Sequence, residues 1–330
     1  MLRLLIYIPC YSDYQIARDS IKNLHEQIKN NINTNELSII FSISVNGVAL
    51  SGEDISEFKD LVNDFTYYPT SIGGDTNILR GYLKALEIKP DYFLILSANE
   101  IITKNYLVYL NKMLIEYSNI DIFIANSGGT NANLKIKNLF LDLPSESAVG
   151  RISAVIYKFS TTHKYFSIAQ KFNWTGWGQL AVIQNVLTNK EDCLIHEFPE
   201  SEIYSPPNIY FDSTHSTQKE FIKFYYHDSF FSHPILAAYF MRNNKKEFKK
   251  YYRNFLKTNW HKMNFFHISN SEKFNSIEQL DPVWVEKQFL RAIKPFSRLL
   301  YLLSMLLMVI PTFNFKNTNL IVSLREKYSR

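Results

Sequence analysis

Over its first hundred residues the chain alternates short apolar runs with amphipathic stretches. Leu4 opens a buried-strand run, LLIYIPC, that ends in Tyr-Ser-Asp. From Gln15 to Ile28, the apolar residues Ile16, Ile21, Leu24 and Ile28 fall close to helical spacing and predict a helix. Leu37 to Val45 reads as a second strand closed by Asn46-Gly47, and Ile55 to Phe65 as a second helix with Phe58, Leu61, Val62 and Phe65 on one face. Thr66 to Tyr68 begins a short third strand, Gly73 to Asn77 reads as a loop, and Ile78 to Leu86 as a third helix. Tyr92 starts a fourth apolar run that ends in a polar tip, Ser97-Ala98-Asn99-Glu100, before the pattern turns helical. The order βαβαβαβ predicts a mostly parallel sheet with right-handed crossovers. Ligands of such sheets sit outside the carboxyl ends of the strands, so the polar tips are where chemistry is expected.

The chain has 330 residues, 46% of them hydrophobic, enough for one large α/β domain and an appendage. Cys10 and Cys193 make neither a disulfide framework nor a metal cluster, which suits a reducing compartment. The opening residues MLRLLIYIPCY contain a short apolar run without a small-residue cleavage site and are expected to form the first strand, not a secretory leader. Charge is uneven. The formal total is +5, yet from Glu286 onward eight basic residues face two acidic ones. Within that basic tail, LLYLLSMLLMVI runs from Leu299 to Ile310; as a helix it covers about 18 Å, short of the roughly 30 Å of a bilayer core. It is expected to lie in the interface of an anionic leaflet, the alternative being a core helix. Arg242 to Lys262 interleaves lysines and arginines with aromatics, either an amphipathic helix with a solvated face or a second lipid contact. No nucleic-acid module accompanies the charge. Seams are expected at Asn126 to Lys137 and at Ser205-Pro206-Pro207.

Four segments in register, IPCYSDY, SVNG, GGDTNILRGYLKA and LILSANEIIT, resemble the succession in nucleotide-sugar glycosyltransferases of the GT-A fold, family 2 type, over roughly residues 3 to 110. The resemblance implies a GT-A (Rossmann-like) α/β fold with a C-terminal helical extension. Residues 1–215 would form the catalytic domain, with a donor half at 1–125 and an acceptor half at 126–215, and residues 216–330 a basic, membrane-associating helical region. It puts Pro9 and Tyr11 beside the nucleotide base, Asn46 where an Asp usually reads the base, and Arg80 near the diphosphate or base. Lys84, Arg151 and Lys158 are further candidates to meet the charge of the departing diphosphate.

At the family's Asp-x-Asp site this chain has Ser97, Asn99 and Glu100, leaving one carboxylate for Mg²⁺ or Mn²⁺, with His215 as a further metal or phosphate contact. Trp174 and Trp177, with Gly176 and Gly178 allowing close approach, are similar to an acceptor-binding segment, and Gln179 stands near where family 2 members carry a Glu-Asp pair. Glutamine cannot accept a proton. The expected base is therefore a nearby carboxylate among Glu191, Asp192, Glu197, Glu200 and Glu202, with Glu197 and Glu200 foremost, or else Asp75 or Glu100, unless configuration is retained. The implied activity is a hexosyltransferase-type transfer from a nucleotide-diphosphate sugar, UDP-linked first, to a glycan or lipid-linked glycan of bacterial surface polysaccharide, capsule, lipopolysaccharide or O-antigen, at the cytoplasmic face of the inner membrane. A GT-A-like protein that binds nucleotide sugar or glycan without turnover is the alternative. A nucleotidyltransferase shares the sheet type, but no Gly-rich basic loop follows strand one.

Overall fold

The computed structural model describes residues 1–11, 14–31, 36–98, 100, 102–126, 132–142, 152–199, 230–269 and 282–309. Two compact units divide the chain, Met1–Thr214 and His215–Arg330.

The first unit is built on an eight-stranded sheet. Its elements are β1 (Leu2–Cys10), α1 (Tyr14–Asn31), β2 (Leu37–Asn46), α2 (Gly52–Leu61), β3 (Asp64–Tyr68), α3 (Gly74–Ile88), β4 (Tyr92–Ile95), α4 (Tyr106–Glu116), β5 (Ile122–Asn126), β6 (Ala132–Leu134), α5 (Leu139–Asp142), β7 (Val155–Lys158), α6 (Phe159–Thr162), α7 (Ser167–Lys171), α8 (Gly178–Asn189) and β8 (Ile195–Pro199). The strands are ordered β3-β2-β1-β4-β7-β5-β8-β6. β1 pairs in parallel with β2 and β4, β2 with β3, and β5 with β8, whereas β7 runs antiparallel between β4 and β5. The carboxyl ends of β1 to β5 and β8 thus share one edge. Strand order reverses beside β1, so the topological switch lies between the ends of β1 and β4, the crevice where ligands of open α/β sheets bind.

Side chains alternate between two covered faces, as expected of strands buried on both sides. On one face α3 and α7 pack through Tyr82 and Phe166 against Phe93 and Tyr157, with Tyr82–Phe166 centroids 5.1 Å apart and the Tyr82 and Tyr157 hydroxyls bonded at 3.2 Å. On the other, α4 sets Tyr109 against Phe198. α1 buries Ala17, Ile21 and Leu24 there, and the Gln27 side-chain oxygen accepts the Leu107 N–H at the start of α4.

Four boundaries differ from the sequence reading. The second helix starts early, because Ser51 and Asp54 form a capping box, and stops at Leu61 instead of Phe65. Asn63 stops it: its N–H donates to the Phe41 carbonyl and its side-chain oxygen accepts the Phe41 N–H, pulling the chain into sheet pairing. Phe65 is therefore a strand residue and reaches the same cluster by stacking on Phe58. Asp75, Thr76 and Asn77 belong to the first turn of α3, since Gly73 adopts φ 80° and lets the helix begin at Gly74. The last strand runs Ile195–Pro199, later than Cys193 to Ile195. The 126–137 seam contains the edge strand β6.

The second unit is helical among its described residues: α9 (230–240), α10 (Lys245–Ser269), α11 (Pro282–Ile293) and α12 (Arg298–Val309). In α10 the aromatics Phe248, Tyr251, Tyr252 and Phe255 recur at helical spacing and are buried, while Lys245, Lys246, Lys250, Arg253 and Lys257 are exposed. This is the amphipathic arrangement, with long cationic stems on the wet face. Phe248 packs on Phe296 at 3.9 Å between centroids, and the Tyr252 and Ser304 hydroxyls bond at 2.6 Å, fixing α12 to α10. No helix among the described residues is long and apolar enough to cross a membrane.

His233 is buried in this unit, with Nδ1 2.7 Å from the Tyr251 hydroxyl, and burial pushes its imidazole down to about 4. An unfolded chain binds that proton near about pH 6.5, so the unfolded state binds more protons below this pH. Stability is therefore lost as pH falls from about 6.5 toward 4, by up to about 1.4 kcal/mol per pH unit. Urea unfolding of wild type and His233→Gln is expected to show a shallower pH slope in the variant; equal slopes would contradict a neutral buried imidazole.

Candidate active site

At the ends of β1 and β2, polar side chains that the alternation turns inward are joined by α3. The Asn77 amide, 2% exposed, donates to the Cys10 carbonyl at 3.4 Å and the Ser44 carbonyl at 3.0 Å, and its oxygen accepts the Tyr7 hydroxyl at 3.0 Å. Asn46, equally buried, donates to the Cys10 carbonyl at 2.9 Å and accepts the Ile72 N–H at 3.2 Å. Its amide thus braces the β1 tip and the approach to α3. Just beyond, Gly47 adopts φ +70°, and a Cβ there would collide with the Tyr11 ring. That ring is 50% exposed and presents a flat aromatic surface over the end of β2. Pro9 pairs with Ser44 one position before the tip. Arg80, one helical turn beyond Asn77, lies 4.8 Å over the Tyr68 ring at the end of β3 and beside the Tyr7 hydroxyl. Burial pushes that hydroxyl up to about 12, with Ser44 and Arg80 opposing, so it stays a neutral donor.

The same first turn of α3 reaches the tryptophan segment. Asp75 Oδ2 accepts the Gly176 N–H at 3.1 Å, and Asn173 Nδ2 donates to Thr76 Oγ1 at 3.4 Å. Gly176 can turn there because it adopts φ 70°, and Thr175 Oγ1 accepts the Trp177 N–H. Trp174 and Trp177 are half-buried beside this turn, with Trp177 packed on the core. Asp75, Leu79, Tyr82, Asn173 and Gln179 line a small cleft of about 10 Å³, room for about one water molecule, that opens to solvent. Gln179, 2% exposed, begins α8 at its wall.

At the β4 tip, the Ser97 N–H donates to Ser153 Oγ at 3.0 Å, and the Glu100 N–H to the Ser97 carbonyl. Glu100 Oε2 is buried, and its carboxylate raises the pKa of the Tyr106 hydroxyl, a group pushed up first by its own burial. One inward-turned carboxylate is a poor fit to a hard divalent cation, and no group of three His, Cys, Asp or Glu suited to a metal occurs among the described residues. Asn99 and His215 lie outside the described residues, as do Glu200 and Arg151.

Three other candidates stand away from the crevice. Glu197 is on β8, three strand positions from β4, about 14 Å across the sheet. It is level with Ile124 and with Val155, where β7 begins beside the end of β4. Lys84 is bound to Asp64 and Glu87. Lys158 pairs with Tyr92 at the opposite sheet edge and donates to the Ser118 carbonyl, because β7 runs antiparallel. Tyr7 and Tyr68 also stand beside Arg80 at these strand ends, although no motif singles them out. The signal in the sequence is physical instead: a tyrosine at an inward position of a buried run needs a hydrogen-bond partner.

No family model matches the sequence, and no curated protein does. Among solved structures, S. aureus TarS 1-349 in complex with UDP superposes with a TM-score of 0.52, at 14% identity over 93% of this chain and 88% of that one. A further TarS structure gives 0.50 at 13% identity over 91% of this chain, which spans 50% of that structure's length. The fold is therefore the GT-A type of nucleotide-sugar glycosyltransferases, as the four strand-end segments implied.

Replacing Asn77 with Ala leaves the Tyr7 hydroxyl and two carbonyls without their partner. A loss of about 2–3 kcal/mol in urea unfolding is expected. A loss within experimental error would show that the brace is not needed.

Proposed function

We propose that this chain is a glycosyltransferase moving a hexose from a nucleotide-diphosphate sugar to a glycan held at a membrane, in assembly of a bacterial surface polysaccharide such as a capsule, lipopolysaccharide or O-antigen. The observation that carries this reading is that one helical turn, Asp75 to Asn77, is bonded both to the ends of β1 and β2 and to the tryptophan segment. Such a turn joins a donor side to an acceptor side.

On the donor side, Tyr11 and Pro9 flank the base, and Asn46 holds the strand end against Ile72. A TarS structure of this fold contains UDP, which supports a uridine nucleotide. Ser97, Asn99 and Glu100 frame the far side at the end of β4. On the acceptor side, Trp174 and Trp177 offer ring faces to a sugar, with Gln179 in the adjoining cleft wall.

The base assigned is Asp75. It lines the same cleft as Gln179, beside the position where family 2 members place their carboxylate. The acceptor hydroxyl loses its proton to Asp75 as its oxygen bonds to the anomeric carbon. The bond from that carbon to the phosphate oxygen breaks, and its electron pair leaves on the diphosphate, with inversion of configuration. Arg80 supplies a cation beside the end of β3, and the first N–H groups of α3, whose N-cap Gly73 brings no side-chain bond, supply neutral donors. No step needs a divalent cation. The protein works at the cytoplasmic face of the inner membrane, where both a nucleotide sugar and a lipid-linked glycan are available, and it binds no nucleic acid.

With purified protein, UDP-sugars and lipid-linked glycans, Asp75→Asn is expected to lower kcat by about 100-fold or more with donor KM within about 3-fold. Glu197→Gln should stay within about 3-fold of wild type. A wild-type rate in Asp75→Asn would remove the base assignment. Donor binding without turnover across UDP-, GDP- and CMP-sugars and acceptors would support the non-catalytic reading.

Gly47→Ala forces the Tyr11 ring aside and is expected to weaken UDP binding by about 10-fold, read by calorimetry. EDTA should reduce the rate only modestly; absolute dependence on Mn²⁺ would overturn the metal-free mechanism.

A further inference from the structure

We infer that the outer face of α12 is a lipid-docking surface, seated in the plane of an anionic leaflet. Leu300, Ser304 and Met308 repeat at four-residue spacing and face inward, with Ser304 bonded to Tyr252. The opposite face consists of Leu299, Leu302, Leu303 and Leu306, exposed by 74%, 58%, 38% and 55%, with Met305 alongside at 38%. Their spacing of three, four and seven makes one continuous stripe. A helix built only to fill a core does not leave four leucines in water on one side, and contiguous exposed apolar surface marks an interaction site.

Charge selects the occupant. Lys287, Arg291, Lys294 and Arg298 are exposed on α11 and at the entry to α12. From residue 283 to 308 the one acidic residue, Glu286, is buried at 7% exposure. Trp284, 39% exposed, adds an amphipathic ring of the kind that rests at headgroup level. A second copy of this chain meeting the stripe about a two-fold axis would bring Arg298, the first residue of α12, toward its own counterpart. Anionic headgroups neutralise them. The twelve residues of α12 span about 18 Å, so the helix lies along the surface and does not cross it.

This inference rests on the reading of membrane attachment and is independent of sugar transfer, because it is tested without donor or acceptor. Full-length protein is floated with vesicles of phosphatidylcholine alone or with phosphatidylglycerol added. Binding to the anionic vesicles is expected to be at least about 10-fold stronger and to weaken with salt. Leu302→Asp/Leu306→Asp, and separately Arg291→Gln/Lys294→Gln/Arg298→Gln, should each lose at least about 10-fold of that binding with unchanged Tm. Wild-type binding by the leucine variant would place the membrane contact elsewhere and overturn the surface while sparing attachment. Failure of wild type to bind either vesicle would overturn both, and equal binding to the two would overturn the anionic surface while sparing attachment. A dimer in sedimentation velocity that the leucine variant dissociates would assign the stripe to a second copy instead.

Discussion

The Asn77 side chain is the constraint on which the site depends. Its amide is shared between the carbonyls of Cys10 and Ser44, and its oxygen holds the Tyr7 hydroxyl, so two strands and a helix meet at one buried group. In a low-dielectric interior such a network is stiff when complete and costly when broken, because each orphaned group loses water without gaining a partner. The first turn of α3 is thereby held in register with the strand ends. Everything carried by that turn inherits the placement: Asp75 against Gly176, Thr76 against Asn173, and Arg80 over Tyr68. A misplacement of about 1 Å at such a junction is enough to lower a rate by about 100-fold, which is why positioning groups need not touch the reacting atoms.

What the sequence made legible follows from how far each signal reaches. The four strand runs, the helix at α1 and the aromatic face of α10 are local patterns, and they appear where period and composition placed them. The end of α2 could not be read locally. Val62 and Phe65 continue the helical spacing, but Asn63 pairs with Phe41 some twenty residues away, and sheet hydrogen bonds overrode the helix pattern. Residues 75 to 77 looked like loop because Gly73-Gly74 precedes them, although the positive φ needed at Gly73 is what starts the helix. The site was legible as a set of strand ends but not as a set of roles. Nothing in the order of residues reveals that Asn46 faces carbonyl and N–H groups of the protein, that Glu100 turns inward, or that Glu197 lies three strands from β4.

The C-terminal unit separates the same two kinds of information. That LLYLLSMLLMVI is apolar and flanked by cations is visible in the sequence. Which side of it meets protein is decided by one hydroxyl: Ser304 is the polar interruption in the run, and its bonds to Tyr252 and to the Leu300 carbonyl turn it toward α10. The leucines at positions 299, 302, 303 and 306 are then directed outward by helix geometry alone.

Charge at the strand ends bears on whether a metal is needed at all. A diphosphate brought against a pair of carboxylates at about 5 Å meets repulsion on the order of 3 kcal/mol per unit charge pair at an effective dielectric constant near 20, and a divalent cation between them converts repulsion to attraction. In this chain the residue at the β2 tip is an amide, Asn46, and the one described carboxylate of the β4 tip has an oxygen withdrawn from solvent beside Tyr106. On the proposed reading, fewer carboxylates at these two tips leave less repulsion for a cation to relieve. The charge that would grow on a leaving diphosphate is then a demand that fixed donors meet without reorganisation. On the proposed reading, the start of α3, whose N-cap Gly73 makes no side-chain bond, and the Arg80 guanidinium over Tyr68 are such donors.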